Sequence, residues 1–273
     1  MILGLSSFAF GWSIGVPTQT SNDKMSELNL IETAAKLNLS CLQFGDNMPL
    51  HQLSQDQLNR LKESALQHKL RIEVGARKLT EDHLNTYLQI TRFFESPLLR
   101  FVIDGDDYKP SLDEVYILLK KMAPVFAEHQ ITLGIENHDR FKAIELANLM
   151  RKINNDFIGI CLDTVNSMGA GEGIEYVVNL LAPYTVNLHI KDFIVQRYWH
   201  NMGFTINGVP AGTGQMQLPW IIDRLEPFKK CQSAVLEQWI PWEENQSALI
   251  EKEYSWAEQS IQYLKSLHLF TPV

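Results

Sequence analysis

The chain has 273 residues, 45% of them hydrophobic and 21% charged, with a formal net charge of -8. Those values fit a soluble globular protein of one large domain or two small ones. They exclude the clustered Lys and Arg that binding to a phosphate backbone requires, so no nucleic-acid partner is expected. Cys41, Cys161 and Cys231 sit in or beside apolar runs and read as small buried hydrophobes of a reducing compartment. No basic segment precedes the first apolar residues, and Gly4, Gly11 and Gly15 interrupt them. Neither a secretory signal nor a membrane span is expected, which points to the cytoplasm.

Ile2 to Phe10 predicts a strand followed by a loop. Ser21-Asn-Asp23 offers a helix cap, and Met25, Leu28, Ile31 and Ala35 form a stripe at helical spacing up to about Asn38. Leu39 to Phe44 is a second strand, Ser54 to Lys69 a capped helix, and Leu70 to Gly75 a third strand. Thr80 opens a helix that runs to about Glu95, and Pro97 stops it. Leu98 to Ile103 is a fourth strand. Ser111-Leu-Asp-Glu114 reads as a capping box for a helix to His129, with a kink expected at Pro124.

Four further strands follow, and each stops at a group that can bind a metal. They are Ile131 to Glu136, Phe157 to Asp163, Thr185 to His189 and Ala234 to Glu237. Between them lie helices at Arg140 to Ile153, Ile174 to Leu181 and Leu218 to Lys229, and a long loop from Phe193 to Gln217. A last helix spans Glu244 to Leu267. Eight strands alternate with eight helices at roughly 34 residues per unit, and no linker divides the chain, so a single (β/α)8 barrel over residues 1–273 is expected. A doubly wound sheet is the alternative, but Gly11-Trp-Ser-Ile-Gly15 lacks the glycine fingerprint that fold would place after its first strand.

A buried strand that ends in an unpaired carboxylate is costly. Four in order, ending in Glu136, Asp163, His189 and Glu237, are explained if the ends meet at the C-terminal mouth of the barrel around one cation. Oxygen-rich ligation with one imidazole suits Mn2+ or Mg2+, with Zn2+ or Co2+ as alternatives. Such an ion can polarise a sugar carbonyl, while Glu136 and Glu237 move a proton on opposite faces of the substrate. That chemistry is isomerisation or epimerisation through an enediolate.

The phrases Gly134-Ile-Glu136-Asn-His138, Cys161-Leu-Asp163-Thr-Val-Asn166, Leu188-His189-Ile-Lys191-Asp192 and Gly212-Thr-Gly214 resemble the xylose isomerase-like TIM-barrel superfamily of sugar isomerases and epimerases. The resemblance implies metal ligands at Glu136, Asp163, His189 and Glu237, an acid/base pair at Glu136 and Glu237, and a sugar or polyol substrate. Asn166 stands where ketose 3-epimerases usually carry a substrate-binding His, and Arg197 is the counterpart of an Arg that they place beyond the His ligand. The third and fourth strand ends lack the additional His ligands of the endonuclease IV branch.

Other residues have two readings. His138 binds substrate or orients a ligand, or else caps a helix. Lys191 neutralises an enediolate or binds a substrate carboxylate or phosphate, or else forms a salt bridge. Trp12 and Trp239 stack on a sugar face or pack in the core. Asp46, Arg77 and Asp104 end early strands and are pocket candidates. His200 and Arg197 form a lid or belong to a solvated loop. Gly212-Thr-Gly214 offers amides to a phosphate or makes a plain turn. Asp192 reads as structural. A metal-dependent lyase or dehydratase and a noncatalytic binding subunit are the competing functions, and a barrel of this size is expected to form a homodimer.

Overall fold

The computed structural model describes residues 1–16 and 24–271. The expected cap at Ser21 to Asp23 falls outside them. Eight parallel strands close into a barrel: β1 (Ile2–Ser6), β2 (Cys41–Phe44), β3 (Arg71–Arg77), β4 (Leu98–Val102), β5 (Thr132–Glu136), β6 (Ile158–Asp163), β7 (Thr185–Ile190) and β10 (Ser233–Leu236). β10 pairs with both β7 and β1, which completes the ring. The strands read as nearly unbroken apolar runs because helices cover the outside and side chains fill the inside. Leu5, Leu42, Val74, Leu99, Leu133 and Ile160 are among the residues with no solvent exposure.

The helices form the outer layer. α2 (Glu27–Lys36), α3 (Gln55–Gln67) and α5 (Leu112–His129) each begin with a capping box, built on Ser26, Ser54 and Ser111. In each box the serine hydroxyl accepts an amide that the first turn leaves unpaired. α4 (Glu81–Phe93) is capped by Thr80, as the sequence predicts. α5 is one element with Pro124 inside it. α6 (Ala143–Ile153), α7 (Ile174–Leu181), α8 (Leu218–Leu225) and α9 (Gln246–Ser266) complete the ring. Among the described residues, no helix is long and apolar enough to cross a membrane.

Two expectations need correction. The loop after β1 contains a short helix, α1 (Gly11–Ile14), preceded by a 3-10 turn. The expected loop from Phe193 to Gln217 is largely an antiparallel hairpin, β8 (Asp192–Arg197) paired with β9 (Phe204–Val209). Ile194 and Val195 on one strand and Thr205 and Ile206 on the other are residues of high strand propensity, and Asn201 and Gly203 supply the positive φ that closes the turn.

Candidate metal centre

The closed sheet brings the four strand ends together. Glu136 is the last residue of β5, and Asp163 the last of β6. His189 is next to last in β7, and Glu237 follows β10 directly. The register sets Asp163 beside His189 and Val235 beside His189 in adjacent strands. All four side chains are at most 2% exposed.

His189 stands at the middle of the group. Its Nδ1 lies 3.2 Å from Glu237 Oε1, 3.5 Å from Glu136 Oε2 and 3.9 Å from Asp163 Oδ2, and it makes no hydrogen bond. The other ring nitrogen, Nε2, is 2.7 Å from Gln43 Oε1. The amide of Gln43 cannot be turned the other way, because its Nε2 donates to Glu73 Oε2 and Asn187 Oδ1, each at 3.1 Å. Asn187 is itself fixed by donating to the Ser233 hydroxyl at 2.8 Å. Nε2 of His189 is therefore the nitrogen that donates to Gln43, and Nδ1 is the one that faces the three carboxylates.

Three carboxylate oxygens, one imidazole nitrogen left without a partner and an outer residue that orients the ring are a donor set that could hold a divalent cation. The ligand atoms of Asp163, His189 and Glu237 all lie within 4.8 Å of one another, as do those of Glu136, Cys161 and His189. Cys161 is the weaker candidate. Burial, then Glu136, pushes its thiol well above the ordinary range, and its Sγ–H donates to Asn187.

Two buried cations are built into the same group. Lys191 Nζ lies 2.6 Å from Asp163 Oδ2 and 2.8 Å from Glu237 Oε2. Burial disfavours its charge, but Asp163 and Glu237 outweigh burial and hold the ammonium well above its usual range. Arg100, from the middle of β4, donates to Glu136 Oε2 and, at 2.7 Å, to Asp46 Oδ1. Burial acts against its charge as well, and Glu136 and Asp46 prevail. Glu237 shows the converse balance. Burial would raise its carboxyl, but His189, Lys191 and Arg100 hold it well below the ordinary carboxylate range. With Asp46, the second partner of Arg100, four carboxylates face two cations, an excess of two negative charges.

The remaining candidates divide. Asn166 is in the group: its Nδ2 donates to Glu136 Oε1 at 2.8 Å, and its backbone N–H donates to Asp163 Oδ1. His138 pairs with Asp139 and lines a cavity of about 570 Å3 whose walls include Phe8, Asp46, Arg77 and Arg100. Trp12 and Trp239 line a neighbouring cavity of about 350 Å3, with Trp12 Nε1 donating to the Ile240 carbonyl. Trp239 also lies under Lys191, whose Nζ is 5.5 Å from the ring centre. Arg197 is not brought to the centre. It sits on the exposed hairpin, stacks on Phe204 at 4.4 Å and donates to the Asn201 carbonyl. His200 stacks on Tyr198 in the same hairpin. Asp104 is bound by Arg140. The amides of Gly212 and Gly214 donate to Asp192 Oδ2 at 2.8 and 3.0 Å, so the turn's amides are already bound to a side chain and do not present a phosphate nest.

Sequence reasoning missed Gln43, Arg100 and Ser6, whose hydroxyl donates to Glu237 Oε1 at 2.8 Å. A signal existed. Gln43 and Arg100 are the single polar residues within the apolar strands Cys41-Leu-Gln-Phe44 and Leu98-Leu-Arg-Phe-Val102, where a solvated side chain has no place.

Comparison with known proteins bears on the fold and the family. The family model described as "Xylose isomerase-like TIM barrel" matches residues 31–267. The chain belongs to the xylose isomerase-like TIM-barrel family. Within reach of this family member is 3-oxo-isoapionate decarboxylase of Pectobacterium atrosepticum, 31% identical over 242 residues that cover 88% of this chain and 86% of that protein. Solved structures of similar fold include D-psicose 3-epimerase with D-tagatose from Clostridium cellulolyticum H10, with a TM-score of 0.71, 15% identity, and 99% and 100% of the two chains covered. A xylose isomerase-like TIM-barrel protein from Mycobacterium smegmatis in complex with magnesium gives 0.70, 12% identity, and 96% and 97% coverage.

Proposed function

We propose that this family member is a divalent-metal-dependent lyase that decarboxylates a 3-oxo sugar acid through an enolate. The observation that carries the reading is the buried Lys191 ammonium bridging Asp163 and Glu237. Together with Arg100 it offsets two of the four carboxylates Glu136, Asp163, Glu237 and Asp46, and a bound divalent ion would offset the other two. A buried ammonium fixed beside the ligands would favour an anionic substrate and an anionic intermediate over a neutral ketose. The 31% identity to a decarboxylase of an oxidised sugar acid supports the same choice.

Glu136, Asp163, His189 and Glu237 would hold the ion, with Mg2+ or Mn2+ best suited to the oxygen-rich set. When bound, it supplies Lewis-acid polarisation of the substrate ketone. The carbon–carbon bond to the carboxylate would then break, its electron pair forming the enolate C=C as the carbonyl π pair moves onto the ketone oxygen, and CO2 leaves. Lys191 balances the enolate charge and is the protonated group placed to return a proton to carbon. Asn166 and Arg100 donate to Glu136 and hold its carboxylate in place. The Trp12 and Trp239 wall and His138 border the space where the sugar hydroxyls would lie.

The isomerase or epimerase expected from the sequence is the second reading. It is favoured by Glu136 and Glu237 both lying close to His189 Nδ1, at 3.5 and 3.2 Å. One experiment separates the two. Incubated in D2O with Mg2+ or Mn2+ and a 3-oxo sugar acid, the enzyme should release CO2 and place one solvent deuterium in the product. Lys191→Met should slow that by roughly 100-fold or more. Deuterium entering a neutral ketose with no CO2 from any sugar acid would establish the epimerase instead.

A further inference from the structure

Two cavities open side by side at the strand-end face of the barrel. The inner one, of about 570 Å3, reaches the candidate metal centre through Arg100, which donates to Glu136. The outer one, of about 370 Å3, lies between the loops after β2, β3 and β4 and the first turns of α4, and has no role in the chemistry proposed above. Asp46, Arg77 and Asp106 line both. Each volume alone is in the range of a small-molecule site, so a compact sugar acid in the inner cavity does not need the outer one.

The shared wall is polar and incompletely satisfied. A chain of contacts runs from Glu136 through Arg100 and Asp46 to Arg77. Arg77 Nε stands 3.5 Å from Asp46 Oδ2 and has no hydrogen-bond partner among the described residues, although the side chain is 41% exposed. Asp106 makes no hydrogen bond or ion pair among the described residues. Across the outer cavity, the rings of His51 and His83 meet edge to face at 4.9 Å, and His51 Nδ1 lies 2.9 Å from the hydroxyl of buried Tyr87. Burial pulls both histidines below their ordinary range, and His51 and Lys78 add to the effect at His83. Both rings are therefore uncharged donors and acceptors at neutral pH.

This chemistry selects the class of ligand. Each cation on the outer cavity stands beside a carboxylate, Arg77 beside Asp46 and Lys78 beside Asp107, and Asp106 adds a further acid. A phosphate or a second carboxylate gains nothing there. A hydroxyl both donates and accepts, and neighbouring hydroxyls suit a wall that mixes guanidinium, carboxylate and neutral imidazole. We propose that the outer cavity is a second sugar subsite, and that the substrate is a sugar acid carrying a further sugar residue, which lies across Asp46 and Arg77. The inference rests on the sugar-acid reading of the metal centre for the first residue only.

The test is titration calorimetry of the full chain, with Mg2+ present, against sugar acids that have no keto group to decarboxylate. These are gluconate and its glycosides maltobionate and melibionate, with maltose as the neutral control. The better glycoside should bind about tenfold tighter than gluconate or more, the worth of one hydrogen bond to a charged group. His51→Trp fills the outer cavity from its exposed rim, and should abolish that advantage while leaving gluconate affinity unchanged. His83→Phe keeps the ring packed on Tyr87 but removes its polar atoms, and should reduce the advantage. Equal affinity for gluconate and both glycosides overturns the proposal, as does an advantage that survives both substitutions. Maltose binding as tightly as the glycoside also overturns it, and assigns the cavity to a free sugar. Should a variant fail to fold, the wild-type ratio decides alone. Failure to release CO2 from any 3-oxo sugar acid would overturn the decarboxylase reading and leave this ratio standing.

Discussion

Gln43 determines which nitrogen of His189 faces the carboxylates. The contact is 2.7 Å long and crosses the barrel interior from β2 to β7. Behind Gln43 stand Glu73 and then Arg71, whose guanidinium is paired with the fully buried Glu73. The ring orientation is thus anchored by a polar column inside the barrel, and the column has no direct contact with substrate. Residues that hold a metal-binding histidine from behind commonly matter 10- to 100-fold for affinity. Gln43→Leu is expected to weaken Mn2+ binding by about that factor, read by titration calorimetry on protein stripped with chelator. Unchanged affinity would show that Nδ1 is not a ligand.

Arg100 is the counter-ion of Glu136 and Asp46 together. Arg100→Met leaves Glu136 charged and buried without its partner, which costs roughly 3–5 kcal/mol. Urea unfolding of the metal-free protein should show that loss. Pairing the change with Glu136→Gln should recover part of it, because the orphan charge is then gone. If the double variant is no more stable than the single one, the ion pair is not the source of the effect.

Asp192 organises the return of the hairpin to the barrel. Its carboxylate accepts from the amides of Phe193, Gly212, Gly214 and Met216. Asp192→Asn turns one acceptor into a donor facing donors, and a loss of about 2–3 kcal/mol is expected. Gly214→Ala should be damaging for a different reason: the new Cβ would sit 2.3 Å from Asp192 Oδ1 and 2.4 Å from the Phe193 carbonyl oxygen. Thermal melts of both variants measure this, and wild-type melting of Gly214→Ala would contradict the close approach.

Two buried carboxylates act on stability in opposite directions as pH changes. Glu253 on α9 accepts from the Trp12 and Ser13 amides, yet burial pushes its carboxyl up to about 6 from an ordinary 4.5. The folded state therefore holds this proton more tightly. Glu253's contribution is full below pH 4.5 and declines as pH rises through 6, by about 2 kcal/mol in all. Glu237 is held low, so its contribution is present above 4.5 and is lost as pH falls beneath that. Glu253→Gln should flatten the profile of unfolding free energy between pH 4.5 and 6 and leave the acid limb unchanged. A flattened acid limb instead would mean that the two groups have been assigned the wrong way round.

Local chemistry along the chain was enough to announce the barrel. Serine caps at Ser54 and Ser111, apolar runs of strand length and a regular repeat all report interactions between neighbours in sequence, and the structure places those elements within a few residues of where they are expected. The candidate ligands stood out for a related reason: a carboxylate or imidazole closing a buried strand has no local explanation, and the structure brings Glu136, Asp163, His189 and Glu237 together. What the chain could not announce was who faces whom across the barrel. Gln43 and His189 are 146 positions apart, and Ser6 and Glu237 are 231 apart. Arg100, Lys191 and Arg197 look alike as lone cations, yet closure of the sheet buries the first two against carboxylates and leaves the third stacked on an exposed hairpin. Charge and proton position at the centre depend on distances through a low-dielectric interior, and those exist only once β10 has met β1.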